Sequence, residues 1–253
     1  MGTVTYPYEK IAADLRIAIL DGHLAPGDPL PSANQLAADH RTSRGTARRA
    51  LDLLADEGLI DLRQGARPRV RIAPLVRVWG DGVDWRRHRN AGRPGFDATV
   101  AEHGLIPRQE ILDVRDPAEA PTHIAARLGS ADDATVMRYV RQFADDVPAR
   151  LVCMWLPAWA SGTALAARKR IRGGVAGYIE DPDGPVQRRL TTSRVEVGGR
   201  MPTPEEKELL DLGHGVPVLE VVRTFIDADG NPVYVQEEVA DASRHRYQFR
   251  VDL

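Results

Sequence analysis

Arg44, Thr46, Arg48 and Arg49 fall within six consecutive residues. Guanidinium forks beside a hydroxyl suit paired hydrogen bonds to the acceptor edges of bases and contacts to phosphate oxygens. One bidentate arginine–guanine contact discriminates by ~1–3 kcal/mol. Taken alone, a run of arginines on a helix is a solvated face, so the surrounding pattern must decide. The net charge of −2 is uninformative, but its distribution is not. Residues 40–71 hold eight arginines and four acidic residues, whereas 75–253 hold 24 basic and 27 acidic ones. A basic patch on an otherwise acidic chain is the electrostatic footprint of a nucleic-acid-binding module.

Other chemistries find little support. The seven histidines are dispersed, without an H-E-x-x-H pair or a Cys/His cluster, so neither a metal site nor a cofactor is expected. No G-x-S-x-G elbow occurs. The single cysteine, Cys153, sits in the apolar run Leu151 to Leu156 and reads as a buried, inert thiol. No apolar run is long enough to cross a bilayer, and Met1 to Glu9 lacks the basic-then-apolar order of a secretory signal. A cytoplasmic protein, without a membrane partner, is expected.

The elements that must position the arginines are legible. Ile11, Ala12, Leu15 and Ile19 give Tyr8 to Asp21 one apolar helical face, and Gly22 ends it. Three prolines between Pro26 and Pro31 force a loop. Ser32 and Gln35 form an S-x-x-Q capping box, predicting a short helix to about His40. Ser43 caps a third helix with Ala47, Ala50, Leu51 and Leu54 inward and the arginines outward; Gly58 is placed to end it. Residues 59–62 and 69–72 predict two short strands around a basic, glycine-containing tip. Two short helices, a tight turn and a ribbon make a winged helix-turn-helix, whose second helix enters the major groove.

Residues 74–95 read as a linker, where Arg86 to Arg89 and Arg93 form either a solvated tether or extra phosphate contacts. From residue 96 the pattern predicts short helices at Phe96 to Gly104 and Ile124 to Leu128. It predicts strands at Val136–Phe143, Ala149–Leu156, Leu190–Val197, Val216–Ile226, Pro232–Ala240 and Tyr247–Val251. The turn Asp227 to Asn231 makes two of them an antiparallel pair. The fold class is α+β: a winged helix-turn-helix over 1–73, then a mixed sheet domain over 96–253.

The motifs G-x-L-x-P-G-x-x-L-P-S (Gly22 to Ser32), S-R-x-T-x-R-x-A-L (Ser43 to Leu51), L-x-x-E-G-L-I (Leu54 to Ile60) and Gln64-Gly65 closely resemble the N-terminal domain of GntR-type transcription regulators. The resemblance implies that Arg44, Thr46, Arg48 and the wing glycine Gly65 contact operator DNA, with Ser32 and Ser43 as phosphate-gripping caps. Arg49 is added from the helix face. Two departures from the family pattern, Ala33-Asn34 and Gly65-Ala-Arg-Pro68, add Asn34 and Arg67 as candidate contacts and imply a distinct operator preference. The segments Val136 to Pro157, Arg172 to Glu180, Arg194 to Gln236 and Ser243 to Phe249 resemble the UTRA effector domain of the HutC subfamily, similar in fold to chorismate lyase. That resemblance implies effector sensing without catalysis, with Arg138, Gly174, Glu196 and Tyr234 as candidate contacts. Arg138 is the expected partner of an anionic group. Glu196 and Arg200, four apart, are expected to form an ion pair. Asp97 and Val152 stand where phosphosugar sensors carry other groups, so an effector that is not a phosphosugar is expected. The resemblance further implies a homodimer on a palindromic DNA operator, a repressor released by a small molecule. The alternatives are a ligand-independent plasmid-transfer or developmental repressor and, more remotely, an enzyme with a lyase-like C-terminal domain.

Overall fold

The computed structural model describes residues 6–62, 65–71, 76–79, 95–129, 134–213 and 215–248. The linker arginines Arg86 to Arg89 and Arg93, named above as possible phosphate contacts, lie outside these residues. The chain divides into two compact units. One comprises Met1–Pro74 with Asp211–Val216; the other comprises Leu75–Leu210 with Pro217–Leu253.

In the first unit α1 (Pro7–Leu20), α2 (Ala33–Asp39) and α3 (Arg44–Asp56) are followed by the antiparallel pair β1 (Ile60–Asp61) and β2 (Arg69–Val70). The predicted helix starts hold. Ser32 accepts from the Gln35 N–H at 3.3 Å while the Gln35 side chain accepts from the Ser32 N–H at 2.9 Å. Ser43 Oγ accepts from the Thr46 N–H at 3.1 Å. Gly58, just past the end of α3, takes φ +72°, where a side chain would strain the turn. Ile11, Ala12, Leu36, Ala47, Ala50, Leu51 and Leu54 close one core with Leu30, Ile60 and Val70. Arg16 binds Glu57 through two hydrogen bonds, of 2.8 and 2.5 Å, which fastens α1 to the end of α3.

The second unit is built on an antiparallel sheet of six strands in the order β4-β5-β6-β9-β8-β7. These are β4 (Pro107–Ala118), β5 (Thr135–Ala144), β6 (Val147–Pro157), β7 (Leu190–Arg200), β8 (Val218–Asp227) and β9 (Pro232–Asp241). A separate parallel pair joins β3 (Val76–Trp79) to β10 (His245–Gln248). The helices are α4 (Gly95–Glu102), α5 (Thr122–Leu128), α6 (Gly174–Glu180) and α7 (Pro204–Leu209). α5 ends where expected, on Gly129 at φ +71°.

The two faces of the sheet carry different cores. Ile124 and Leu128 of α5 pack with Met137, Trp155 and Val235 on one face. On the other, Val136, Val140, Val152, Met154 and Phe225 meet Leu165, Ile171, Val175 and Ile179 from the segment between β6 and β7. β4 was not legible as a strand. It is an edge strand, and its sequence PRQEILDVRDPA has too many charged side chains to alternate cleanly.

Candidate nucleic-acid interface and ligand cavity

α3 presents its N-terminal half to solvent. Ser43 caps it and lies 2.8 Å, hydroxyl to hydroxyl, from Thr46. Arg44 is its first residue and is exposed. Arg48 follows one turn later, exposed, with Nε donating to Asp52 at 2.9 Å. An exposed i,i+4 pair of this kind contributes only ~0.3–0.5 kcal/mol, so the guanidinium is easily exchanged onto a phosphate or base edge. Arg49 is differently employed. Its guanidinium lies 4.2 Å over the Tyr8 ring and ties α3 to α1. Asn34 is exposed in the first turn of α2, beside the Ser32 cap. Gly65 sits on the β1–β2 connection at φ +77° with open space around it. Arg67 on the same connection donates from Nε to the Leu30 carbonyl at 3.0 Å, holding the ribbon to the loop before α2.

The second unit encloses a cavity of about 140 Å³ between one face of the sheet and the segments at 95–99 and 171–176. The alternation of strand side chains builds its floor. Arg138 and Gln142 come from β5, Arg150, Val152 and Met154 from β6, Tyr234, Gln236 and Glu238 from β9, and Arg223 and Phe225 from β8. Strand register sets Arg138, Met154, Gln236 and Arg223 in one row across four strands. At about 4.8 Å per strand, the two arginines start ~14 Å apart at opposite ends of that row.

Each floor group has a distinct environment. Arg138, 1% exposed, donates to the carbonyls of Leu165, Ala167 and Lys169 and so clamps the chain over the cavity. Burial holds its pKa below the usual arginine value. Arg150 pairs with Glu238 and donates to Gln142 at 2.7 Å. Glu238 also accepts from Gln236 at 2.6 Å and from the Tyr247 hydroxyl at 2.9 Å. Burial pushes the Glu238 carboxyl up, but Arg150, then Arg223, Tyr247 and Gln236 outweigh it, and the net shift is downward. Tyr234 stacks on Phe225 with centroids 4.2 Å apart. Gly173 and Gly174 open α6, both at φ +75°, and give the wall backbone in place of side chains.

Of the four candidate ligand contacts, the structure gathers Arg138, Gly174 and Tyr234 around this cavity. Glu196 is elsewhere, exposed on β7 and paired with Arg127 at 2.7 Å. The expected Glu196–Arg200 pair does not form. Arg200 binds Glu206 at 2.7 Å and Glu220 at 2.9 Å. Both residues lie on a strand, where four positions span ~13 Å, against about 6 Å on a helix. Asp97 is not in the wall and pairs with Arg170, whereas Val152 is in it. Arg150, Arg223, Gln142, Gln236 and Glu238 were not singled out from the sequence. Their signal was present as polar residues at inward positions of otherwise apolar strands.

These geometries agree with what the chain resembles. The family model for bacterial regulatory proteins of the gntR family matches residues 7–70, and the model for the UTRA domain matches residues 102–246. The chain belongs to the gntR family, in its UTRA-containing branch. The HTH-type transcriptional repressor NagR of Bacillus subtilis (strain 168) is 25% identical over 251 residues, 97% of this chain and 94% of NagR. The HTH-type transcriptional regulator Rv0792c of Mycobacterium tuberculosis is 28% identical over 250 residues, 96% of this chain and 84% of that protein. The crystal structure of PhnF from Mycobacterium smegmatis shares the fold, with a TM-score of 0.58 at 19% identity, covering 96% of this chain and 99% of PhnF. This gntR-family chain is therefore a DNA-binding transcriptional regulator, with a winged helix-turn-helix head and a UTRA effector-binding domain. Among the described residues no helix is long and apolar enough to cross a membrane.

Proposed function

We propose that this regulator is a cytoplasmic repressor that binds a palindromic operator as a homodimer and is released when a small molecule fills the UTRA cavity. The observation that carries the DNA half is the capped N-terminus of α3, with Arg44 and Arg48 exposed one turn apart. A helix of 13 residues is ~20 Å long, and its N-terminal residues reach base edges in a groove about 12 Å wide. Ser32, Asn34 and Ser43 would hold phosphates, Thr46 an adjacent base or phosphate, and Gly65 lets the wing approach the backbone closely. Arg49 and Arg67 would act mainly by fixing α3 and the wing, given their contacts to Tyr8 and Leu30. A two-fold dimer matches a two-fold operator. We place the head at 1–73, a linker at 74–95 whose stretch Val76–Trp79 pairs with β10, and the effector and dimer domain at 96–253. Glu196 would serve the surface and not the ligand.

We do not propose catalysis. Among the described residues, Glu238 is the carboxylate that lines the cavity, and its oxygens are engaged by Arg150, Gln236 and Tyr247. A carboxylate acting as general base needs an oxygen free to take the proton. Fluorescence anisotropy of the full chain on promoter duplexes tests the reading. Affinity should fall by ~10³–10⁵ between 50 and 200 mM salt if 6–10 phosphates are neutralised. Arg44→Ala and Arg48→Ala should each abolish specific binding with the fold intact. A flat salt profile, or two variants that bind like wild type, would refute it.

A further inference from the structure

Among the described residues, Arg223 is the cavity arginine that no hydrogen bond answers. Arg138 has its N–H groups on three carbonyls, and Arg150 is bound to Glu238 and Gln142. Arg223 is 7% exposed and lines the same cavity. Among the described residues it makes no hydrogen bond, and its buried Nε has no partner. Phe225 lies 5.8 Å from its guanidinium carbon, at the outer limit of a cation–π contact. Through-space attraction to Glu238 remains, but that carboxylate is already committed to Arg150. A guanidinium cannot shed its proton to escape burial. Buried charge without hydrogen bonds is costly, so the site is complete only when an acceptor of negative charge occupies it.

Three features define that acceptor. Among the described residues of the cavity, Arg138, Arg150 and Arg223 face Glu238 alone, a surplus of two positive charges, but Arg138 is held by three carbonyls and Arg150 by Glu238 and Gln142, so one guanidinium fork, that of Arg223, is left to hold a ligand anion. A carboxylate also fits the guanidinium fork with two parallel bonds. The cavity, at about 140 Å³, is smaller than the 300–1,000 Å³ typical of drug-sized ligand sites. Beside the charged groups and the amides Gln109, Gln142 and Gln236, the wall offers an apolar, partly aromatic surface of Phe96, Val152, Met154, Val175, Phe225 and Tyr234. Taking the cavity as the effector site, on which this step rests, we propose that the effector is a small carboxylic acid with an apolar or planar body, its carboxylate held by Arg223.

Calorimetry on the full chain tests this, with benzoate, phenylacetate and hexanoate as probes, benzamide as the uncharged control, and inorganic phosphate and glucosamine 6-phosphate as the competing chemistry. The proposal expects at least one carboxylate to bind, benzamide not to, and Arg223→Met to lose roughly tenfold or more in affinity for that carboxylate. The free Arg223→Met protein should melt no lower than wild type, because an unbonded buried charge is replaced by an apolar chain of similar length. Arg223→Lys should recover only part of the binding, since it keeps the charge and loses the fork. The proposal is overturned if no carboxylate of the panel binds, if Arg223→Met binds as well as wild type, or if the phosphates bind at lower concentration than every carboxylate. Operator binding is read on the same samples. Wild-type protein that binds no operator refutes the regulator reading, whereas wild-type protein that binds operator but no carboxylate refutes the Arg223 assignment, so the two failures give different results.

Discussion

Replacing Glu238 with Gln keeps the shape of the side chain and deletes the one negative charge on the cavity floor among the described residues. Glu238 is 1% exposed and its partner Arg150 is 7% exposed, so solvent cannot screen the loss. Arg150 is then left with a neutral acceptor, and Arg223 loses its through-space counter-charge. Removing one member of a buried pair costs about 3–5 kcal/mol, because the other charge stays buried and unanswered. Against a total stability of ~5–15 kcal/mol this is a large fraction. For a unit of 150–250 residues each kcal/mol shifts Tm by about 2–4 °C, so the UTRA transition should move down by roughly 6–20 °C. Arg150→Met combined with Glu238→Gln removes both members of the pair and should recover most of that loss. Thermal unfolding of the four proteins by near-ultraviolet circular dichroism completes the double-mutant cycle. A Glu238→Gln protein within ~1 kcal/mol of wild type, or single losses that simply add in the double variant, would refute the assignment of this pair as a coupled buried unit.

Ser43→Ala removes the acceptor for the Thr46 N–H and should destabilise the head by ~1 kcal/mol, seen as a lower urea midpoint with an unchanged slope. His245 should make stability fall with acidity: burial, then the charge of Arg150, push its pKa down to about 4. Between the ordinary value near 6.5 and that value the unfolded chain takes up a proton that the folded chain refuses, so up to ~3 kcal/mol is lost as pH falls through this window. Urea titrations at pH 7 and pH 4.5 should show the loss in wild type and a smaller one in His245→Gln. Cys153 should react slowly with an aromatic disulfide reagent at pH 8 in the native protein and rapidly in urea, because burial pushes its thiol up to about 12; fast native labelling would contradict the packing around β6.

The head was almost wholly legible because its signals are local. Ser32 with Gln35, Ser43 with Thr46, and Gly58 each act within a turn of helix, and the structure has all three in the expected roles. The employment of Arg49 and Arg67 was not legible, since Tyr8 and Leu30 are 41 and 37 positions away and only folding brings them near. In the second unit β5 to β9 were found from their apolar or alternating runs, while β4 was hidden by the charged side chains of PRQEILDVRDPA. The cavity floor was the largest omission. Arg150, Arg223, Gln236 and Glu238 are separated by up to 88 positions along the chain, and nothing local sets them apart from surface residues. What does set them apart is parity: each shares its strand face with Val152, Phe225 or Tyr234, which are core residues. Buried polar side chains at core-facing positions mark a place where the fold accepts a cost, and that mark becomes readable once the strand register is known.

Selection from a random duplex library decides whether this chain reads DNA through the N-terminal half of α3 as a two-fold dimer. The full chain should enrich a palindrome with half-site centres about one helical turn, ~34–36 Å, or a multiple of it apart. Arg44→Ala and Arg48→Ala should each lose that enrichment while retaining wild-type unfolding curves. A library returned without a two-fold motif, or the same motif enriched by both variants, would contradict the account.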